Sequence, residues 1–338
     1  MKFGCLGPIA VYLPETVEDN DRYSAEFPKW NMEMIYQKTG VRARHIARPD
    51  QCASDLAVGA AEKLLQEPHI DRQSIDFLLL CTQTPDYPLP TTACLVQDRL
   101  GLPTSIGALD FNLGCSGFVY GLSLADGLIR SGAARRVLLI TSETYSKYIH
   151  AADRSLRTIF GDGATAALID AADQPSMGSF VFGTDGSGAD TLMVLEGGAR
   201  PKNSRLQPRK RQRWASQLYM DGPELVKFTV EVVPTLVEKI LQRADWTRDD
   251  VNLYLLHQAT SFLLEQVRAR MGVTLEQAPM ALAEYGNTVS STIPILIRDL
   301  RQEGRLKPGV RSLMIGFGVG LSWCGCAWTE SWDGAKAC

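Results

Sequence analysis

The chain has 338 residues, with 35 Lys and Arg against 38 Asp and Glu and a formal net charge of −3. Hydrophobic residues make up 45% and charged residues 22%, a globular balance that argues against disordered, collagen-like and membrane-embedded classes and gives no reason to expect nucleic acid. The length exceeds what one core usually organises, so two domains or a duplicated unit are expected.

In chain order the pattern predicts a helix over 54–66, a strand over 77–82, a helix over 92–100, a strand over 108–112 and a helix over 117–131. Strands follow over 137–142 and 164–169, then a helix over 225–243, a strand over 251–257 and helices over 261–271 and 291–303. The chain closes with strands over 312–317 and 321–329. Gly101, Gly132, Gly272 and Gly304 punctuate the helix ends. Alternation of short apolar strands with amphipathic helices indicates an α/β fold.

The two halves repeat one order of elements. SIDFLLLCTQT, a loop and TTACLVQDRLGL answer to DVNLYLLHQAT and SFLLEQVRARMGV. NLGCSGFVYGLSLADGLIRSG answers to EYGNTVSSTIPILIRDLRQEG, and RRVLLITSE to VRSLMIGFG. A duplication divides the chain into 1–175, a linker with a basic run over 176–220, and 221–338. It places Cys115 and Asn287 at equivalent strand-to-helix turns and His257 at a strand end, where open α/β sheets bind ligands.

Eight cysteines are too few for a disulfide scaffold, none is spaced C-x-x-C, and with four histidines no metal site is expected. The N-terminus lacks a signal-peptide pattern and no run of about 18 apolar residues occurs, so a reduced cytoplasmic protein is expected. Cys5, Cys81, Cys324 and Cys326 sit in strand-like runs and read as buried small hydrophobes. Cys115, in NLGCSGF directly before a helix, is different. The positive end of that helix is expected to favour thiolate, and Gly114 and Gly117 permit a sharp turn that leaves the sulfur approachable.

Cys115, His257 and Asn287 together supply a nucleophile, a proton handler or donor, and an amide donor. The glycine-rich IGFGVGL (315–321) is placed to bring a backbone N–H to the sulfur, completing an oxyanion hole with the amide of Cys115. As a dinucleotide loop it lacks the acidic ribose partner and the following helix.

At these residues the chain resembles the β-ketoacyl-acyl-carrier-protein synthase III family of the thiolase superfamily. The matching stretches are TGVRARHIA (39–47), GCSGF (114–118), IFGDGATA (159–166), HQA (257–259), YGNTVSSTIP (285–294) and GFGVGLSW (316–323), in family order over nearly the whole chain. The resemblance implies a thiolase-like five-layered αβαβα fold of two similar halves, normally a homodimer, acting in fatty-acid or polyketide biosynthesis. It implies decarboxylative condensation of an acyl primer, carried on Cys115, with a malonyl-carrier thioester to give a 3-oxoacyl thioester. His257 and Asn287 would hold the thioester oxygen of the malonyl group, and the amides of Cys115 and Val319 the acyl carbonyl. Coenzyme A or phosphopantetheine thioesters would be substrates, with no metal or redox cofactor.

The departures bear on substrate. The family tryptophan that stacks on the coenzyme A adenine is Met34 here, and its arginine partner is Lys38. Arg154 matches a coenzyme A contact, Phe317 falls in the substrate site, and Leu89 takes the place of an aromatic that limits the acyl pocket. Thr260-Ser-Phe262 replaces an Asn-x-Arg used in carrier docking. A specialised synthase is expected. Seven Lys and Arg and no acid lie between 200 and 213. Arg209, Lys210 and Arg211, extended by Lys227, Arg268 and Arg270, are candidates for docking an acidic carrier protein, although such a run also suits a solvated loop.

Other readings of the same residues are acyl transfer from Cys115 to an alcohol or amine with His257 as base, a cysteine hydrolase with Cys, His and Asn in papain-like order, and a non-catalytic subunit.

Overall fold

The strand Phe77–Cys81 shows how the layers arise: Leu78 and Leu80 face one way and Leu79 the other, and all are buried. A strand covered on both faces reads as a continuous apolar run and needs helices on each side. Leu78 and Leu80 pack on the outer helices Ala53–Leu65 and Thr92–Arg99. Leu79 packs toward the inner helices Gly117–Arg130 and Thr292–Gln302.

The computed structural model describes residues 1–200 and 216–334. Among these, a five-stranded sheet runs in the order Phe3–Tyr12, Gly163–Ala172, Arg136–Glu143, Phe77–Cys81, Gly107–Phe111. A four-stranded sheet runs in the order Met177–Thr184, Ser322–Thr329, Arg311–Gly318, Leu253–Leu256. The pairings correspond step for step. In each sheet the first strand is antiparallel to the second, the second to the third, and the third is parallel to the fourth.

The inner helices Gly117–Arg130 and Thr292–Gln302 lie between the sheets in one core with Leu139 and Ile169 of the first sheet and Leu255, Met314 and Trp328 of the second. The second sheet's outer face carries Gly222–Ala244 and Ser261–Met271. The layering is αβαβα, built from two duplicated halves. Pro223 in the first turn and Asp221 before it start the long helix. Thr260 caps Ser261–Met271 by accepting from the Leu263 N–H, and Gly272 ends it at φ 69°.

Two strands of the main sheets escape the sequence pattern, as do the short strands Thr16–Asp19, Ala43–Ile46, Leu192–Val194 and Leu218–Met220. Phe3–Tyr12 carries Gly7-Pro8, and its register shifts between Leu6 and Ile9, the irregularity an internal proline requires. Met177–Thr184, inside the segment read as a linker, is the edge strand of the second sheet. Cys5 is buried, as its strand-like run suggests, but it is disulfide-bonded and not a free thiol, which departs from the expectation of a fully reduced protein. Among the described residues no helix is long and apolar enough to cross a membrane.

Candidate active site

Cys115 lies in the turn between the strand Gly107–Phe111 and the helix Gly117–Arg130. The turn is wedged against both sheets, and its glycines follow from that crowding. A Cβ on Gly117 would lie 2.2 Å from the Cys81 sulfur, and one on Gly114 2.5 Å from Gln83 Oε1. From the other half, a Cβ on Gly318 would lie 2.9 Å from the Cys115 sulfur. The hydroxyls of Ser116 and Ser322, 2.7 Å apart, join the halves beside it.

His257 follows the strand Leu253–Leu256, its N–H bonded to the Ile315 carbonyl at 2.9 Å. The ring meets Phe317 edge-on, with centroids 5.5 Å apart. Nδ1 lies 2.7 Å from the Thr292 hydroxyl. Gln258 is a bracket: its Nε2 donates to the Leu256 carbonyl and its Oε1 accepts from the Ala281 N–H, both at 2.8 Å.

Asn287 is tied by its backbone to Ile159 and Gly161 and by Oδ1 to the Val289 N–H at 2.8 Å. With Oδ1 so occupied, the Nδ2 donors are left for the cavity. Val289, a β-branched residue, takes φ 56°, a strained left-handed conformation of the kind found at functional sites.

These residues line one cavity of about 910 Å³. Cys115, His257 and Asn287 are 7%, 1% and 4% exposed and mark its buried end. Met34, Lys38, Arg154 and Phe262 are exposed and mark the solvent end, while Phe317 lines the interior. Tyr145, which the sequence did not single out, lines the cavity and donates to Gln83 Oε1 at 2.8 Å. Leu89 is 83% exposed and stands outside the cavity this chain encloses. Lys227 and Arg270 are exposed and Arg268 is half-buried. Arg209, Lys210 and Arg211 lie outside the described residues.

The electrostatics correct one expectation. Burial first, and Glu143 second, push the Cys115 thiol up to about 12, against the pull of the Cys115 and Val319 N–H groups on the sulfur. A helix N-terminus typically supplies only ~0.3–1 kcal/mol, whereas each pH unit is worth about 1.4 kcal/mol, so burial wins and the resting sulfur is a thiol. Glu143 is itself pushed up to about 8 by burial, which leaves it neutral at pH 7 and its repulsion of the sulfur largely off. Burial also pushes His257 down to about 3, so the imidazole is neutral.

Residues 109–186 match the family described as 3-oxoacyl-[acyl-carrier-protein] synthase III, and residues 241–329 match its C-terminal domain. The chain is 36% identical, over 96% of its length and 98% of the relative's, to the β-ketoacyl-[acyl-carrier-protein] synthase III of Lactococcus lactis subsp. lactis. The chain belongs to the 3-oxoacyl-[acyl-carrier-protein] synthase III family. A crystal structure of a 3-oxoacyl-(acyl-carrier-protein) synthase III superposes with a TM-score of 0.92 at 45% identity, covering 97% of this chain and 99% of the other. That of a 3-oxoacyl-(acyl-carrier protein) synthase from Burkholderia xenovorans LB400 does so with a TM-score of 0.91 at 34% identity, covering 98% of each.

Within this synthase III framework, reasoning from sequence alone missed Glu143, Thr292, Tyr145 and Gln83. Glu143 and Gln83 carried one available signal: each stands where an apolar strand ends, the position at which α/β sheets collect polar function.

Proposed function

We propose that the chain condenses an acyl primer with a malonyl-carrier thioester, with loss of carbon dioxide, to give a 3-oxoacyl thioester. The observation that carries this reading is the convergence of Cys115, His257 and Asn287 at the buried end of one cavity, with the bare α-carbon of Gly318 against the sulfur. The Cys115 sulfur takes the acyl group, and its proton leaves with the primer's departing sulfur. Malonyl thioester then loses carbon dioxide, and the enolate oxygen is held by His257 Nε2–H and Asn287 Nδ2. This role needs the ring hydrogen of His257 on Nε2, with Nδ1 accepting from the Thr292 hydroxyl that lies 2.7 Å from it and 3.2 Å from the Val289 carbonyl.

The carbanion attacks the acyl carbonyl, whose oxygen sits between the amides of Cys115 and Val319. The Cys115 sulfur is expelled as thiolate and takes a proton from water, replacing the one that left with the primer's thiol. Every step moves acyl groups, protons and carbon dioxide, so thioesters of coenzyme A or phosphopantetheine suffice and no metal or redox cofactor is called for.

Lys38 and Arg154 at the solvent end suit the phosphates of such thioesters. Met34 in place of a stacking aromatic favours a specialised member that takes carrier-bound or functionalised primers. The exposed cations Lys227 and Arg270 suit an acidic carrier protein. The exposed apolar pair Tyr87 and Leu89, 57% and 83% exposed, suits a homodimer contact. A cytoplasmic setting fits thioester chemistry.

Acyl transfer to an alcohol needs a base, and an imidazole pushed down to about 3 serves poorly as one. Malonyl-carrier labelled in its free carboxyl decides between the two. Release of label in step with 3-oxoacyl product supports condensation; an acyl-enzyme that acylates an alcohol without releasing label contradicts it.

A further inference from the structure

Glu143 ends the strand Arg136–Glu143 and is fully buried. Its carboxyl gathers donors from both halves. Oε2 accepts from the Gln83 N–H at 3.1 Å and the Thr84 hydroxyl at 3.4 Å, and Oε1 accepts from the Ser290 hydroxyl at 2.9 Å. Gln83 and Thr84 follow the strand Phe77–Cys81, and the Gln83 side chain covers Gly114 beside the nucleophile. Ser290 directly follows Val289, the left-handed residue whose N–H holds Asn287 Oδ1. Thr144, next to Glu143, donates its N–H to the Thr84 hydroxyl at 2.9 Å and closes the clasp.

We propose that Glu143 is a positioning residue for the decarboxylation step. Through Ser290 it holds the Asn287 turn in the strained conformation that aims the carboxamide into the cavity. Through Gln83 and Thr84 it fixes that turn to the half that carries Cys115. This rests on the role given to Asn287 above.

The chemistry of the clasp explains why a carboxyl stands there. Three donors converge on one side chain with two oxygens to receive them, whereas an apolar residue would cost Ser290 and Thr84 their bonds to it. Among the described residues, the ionisable groups that act on Glu143 include Asp162, Cys81, Cys115, Tyr145 and Tyr148. Burial pushes the carboxyl up to about 8, against the pull of its three donors. In the protonated form that burial favours, the carboxyl carries one hydrogen, which the Thr84 or Ser290 hydroxyl accepts in place of donating. Ionised, it adds a negative charge that acts on the Cys115 sulfur.

The test compares Glu143→Ala, Glu143→Gln and Ser290→Ala with wild type and Asn287→Ala. Acyl transfer to Cys115 is read by intact mass and label release from malonyl-carrier by counting; thermal melting identifies folded variants. Glu143→Ala and Ser290→Ala are expected to acylate within about threefold of wild type while label release falls about tenfold or more. Glu143→Gln, which keeps an acceptor oxygen for Ser290, is expected to recover most of that loss at pH 7. It should also lack the fall in label release expected of wild type above about pH 8. If Glu143→Ala does not fold, Ser290→Ala carries the comparison. Label release within about threefold of wild type in either folded variant, or equal loss of both steps, overturns the proposal. Asn287→Ala separates the two failures. Normal label release there sinks the role of Asn287 and this proposal with it, whereas loss there beside intact Glu143→Ala and Ser290→Ala sinks this proposal alone.

Discussion

Gly318 presses on Cys115: a Cβ at 318 would lie 2.8 Å from the cysteine Cβ and 2.9 Å from its sulfur. Real Cβ contacts are not that short, so any side chain at 318 must displace the nucleophile or the strand Arg311–Gly318. Gly318→Ala is expected to remain folded, with an overpacking cost of about 1–3 kcal/mol. Acyl transfer to Cys115 should slow about tenfold or more, as rapid mixing with an acyl thioester followed by mass measurement will read. Wild-type acylation rates in Gly318→Ala would show that this contact does not place the sulfur.

Asn287 and His257 are assigned to the enolate and not to the first acyl transfer. Asn287→Ala is therefore expected to load Cys115 at close to the wild-type rate while label release from malonyl-carrier falls about 10²-fold, as loss of one oxyanion donor typically does. Equal loss of both steps in a folded Asn287→Ala protein contradicts the assignment.

Thr292 places its hydroxyl 2.7 Å from His257 Nδ1, and the role given to His257 needs the ring hydrogen on Nε2. Thr292→Val keeps the shape and removes the hydroxyl, which costs a buried histidine nitrogen its partner. Label release should fall about tenfold, and Thr292→Ser should restore it. An unaffected Thr292→Val protein would mean that the ring is fixed by other contacts.

Stability should respond to pH through three buried groups. His257 is depressed from 6.5 to about 3, so its contribution is complete above 6.5 and is lost as pH falls toward 3. Asp162 is raised from 3.8 to about 6 and Glu143 from 4.5 to about 8, so the folded state holds more protons than the unfolded one in those windows. Their contribution is complete at low pH and is lost as pH rises through about 6 and about 8. Glu143→Gln removes the second loss. Denaturant unfolding at pH 5 and pH 9 is expected to show a smaller decline for Glu143→Gln than for wild type, and parallel declines would contradict the buried, proton-holding carboxyl.

The legible parts of this protein are those whose cause is local. The Phe77–Cys81 and Arg136–Glu143 strands and the glycine-flanked turn at Cys115 announce themselves in a few residues each. His257 and Asn287 were found because the duplicated order places strand ends in register. Phe3–Tyr12 was missed because Pro8 argues against a strand unless a bulge is already known. The thiolate expectation failed because a helix start is visible in sequence whereas the burial that outweighs it is assembled from distant segments. Glu143 is one acid among many until the fold brings Ser290 to it across 147 positions.

The central claim is that Cys115 carries the acyl primer at the meeting of the two halves. Its most direct test is intact-mass measurement after exposure to a panel of acyl-coenzyme A and acyl-carrier thioesters, followed by malonyl-carrier. One acyl adduct that maps to Cys115, is absent in Cys115→Ser, and disappears on adding malonyl-carrier as 3-oxoacyl thioester forms is the predicted result. No adduct from any thioester, or an adduct on another residue, would contradict it.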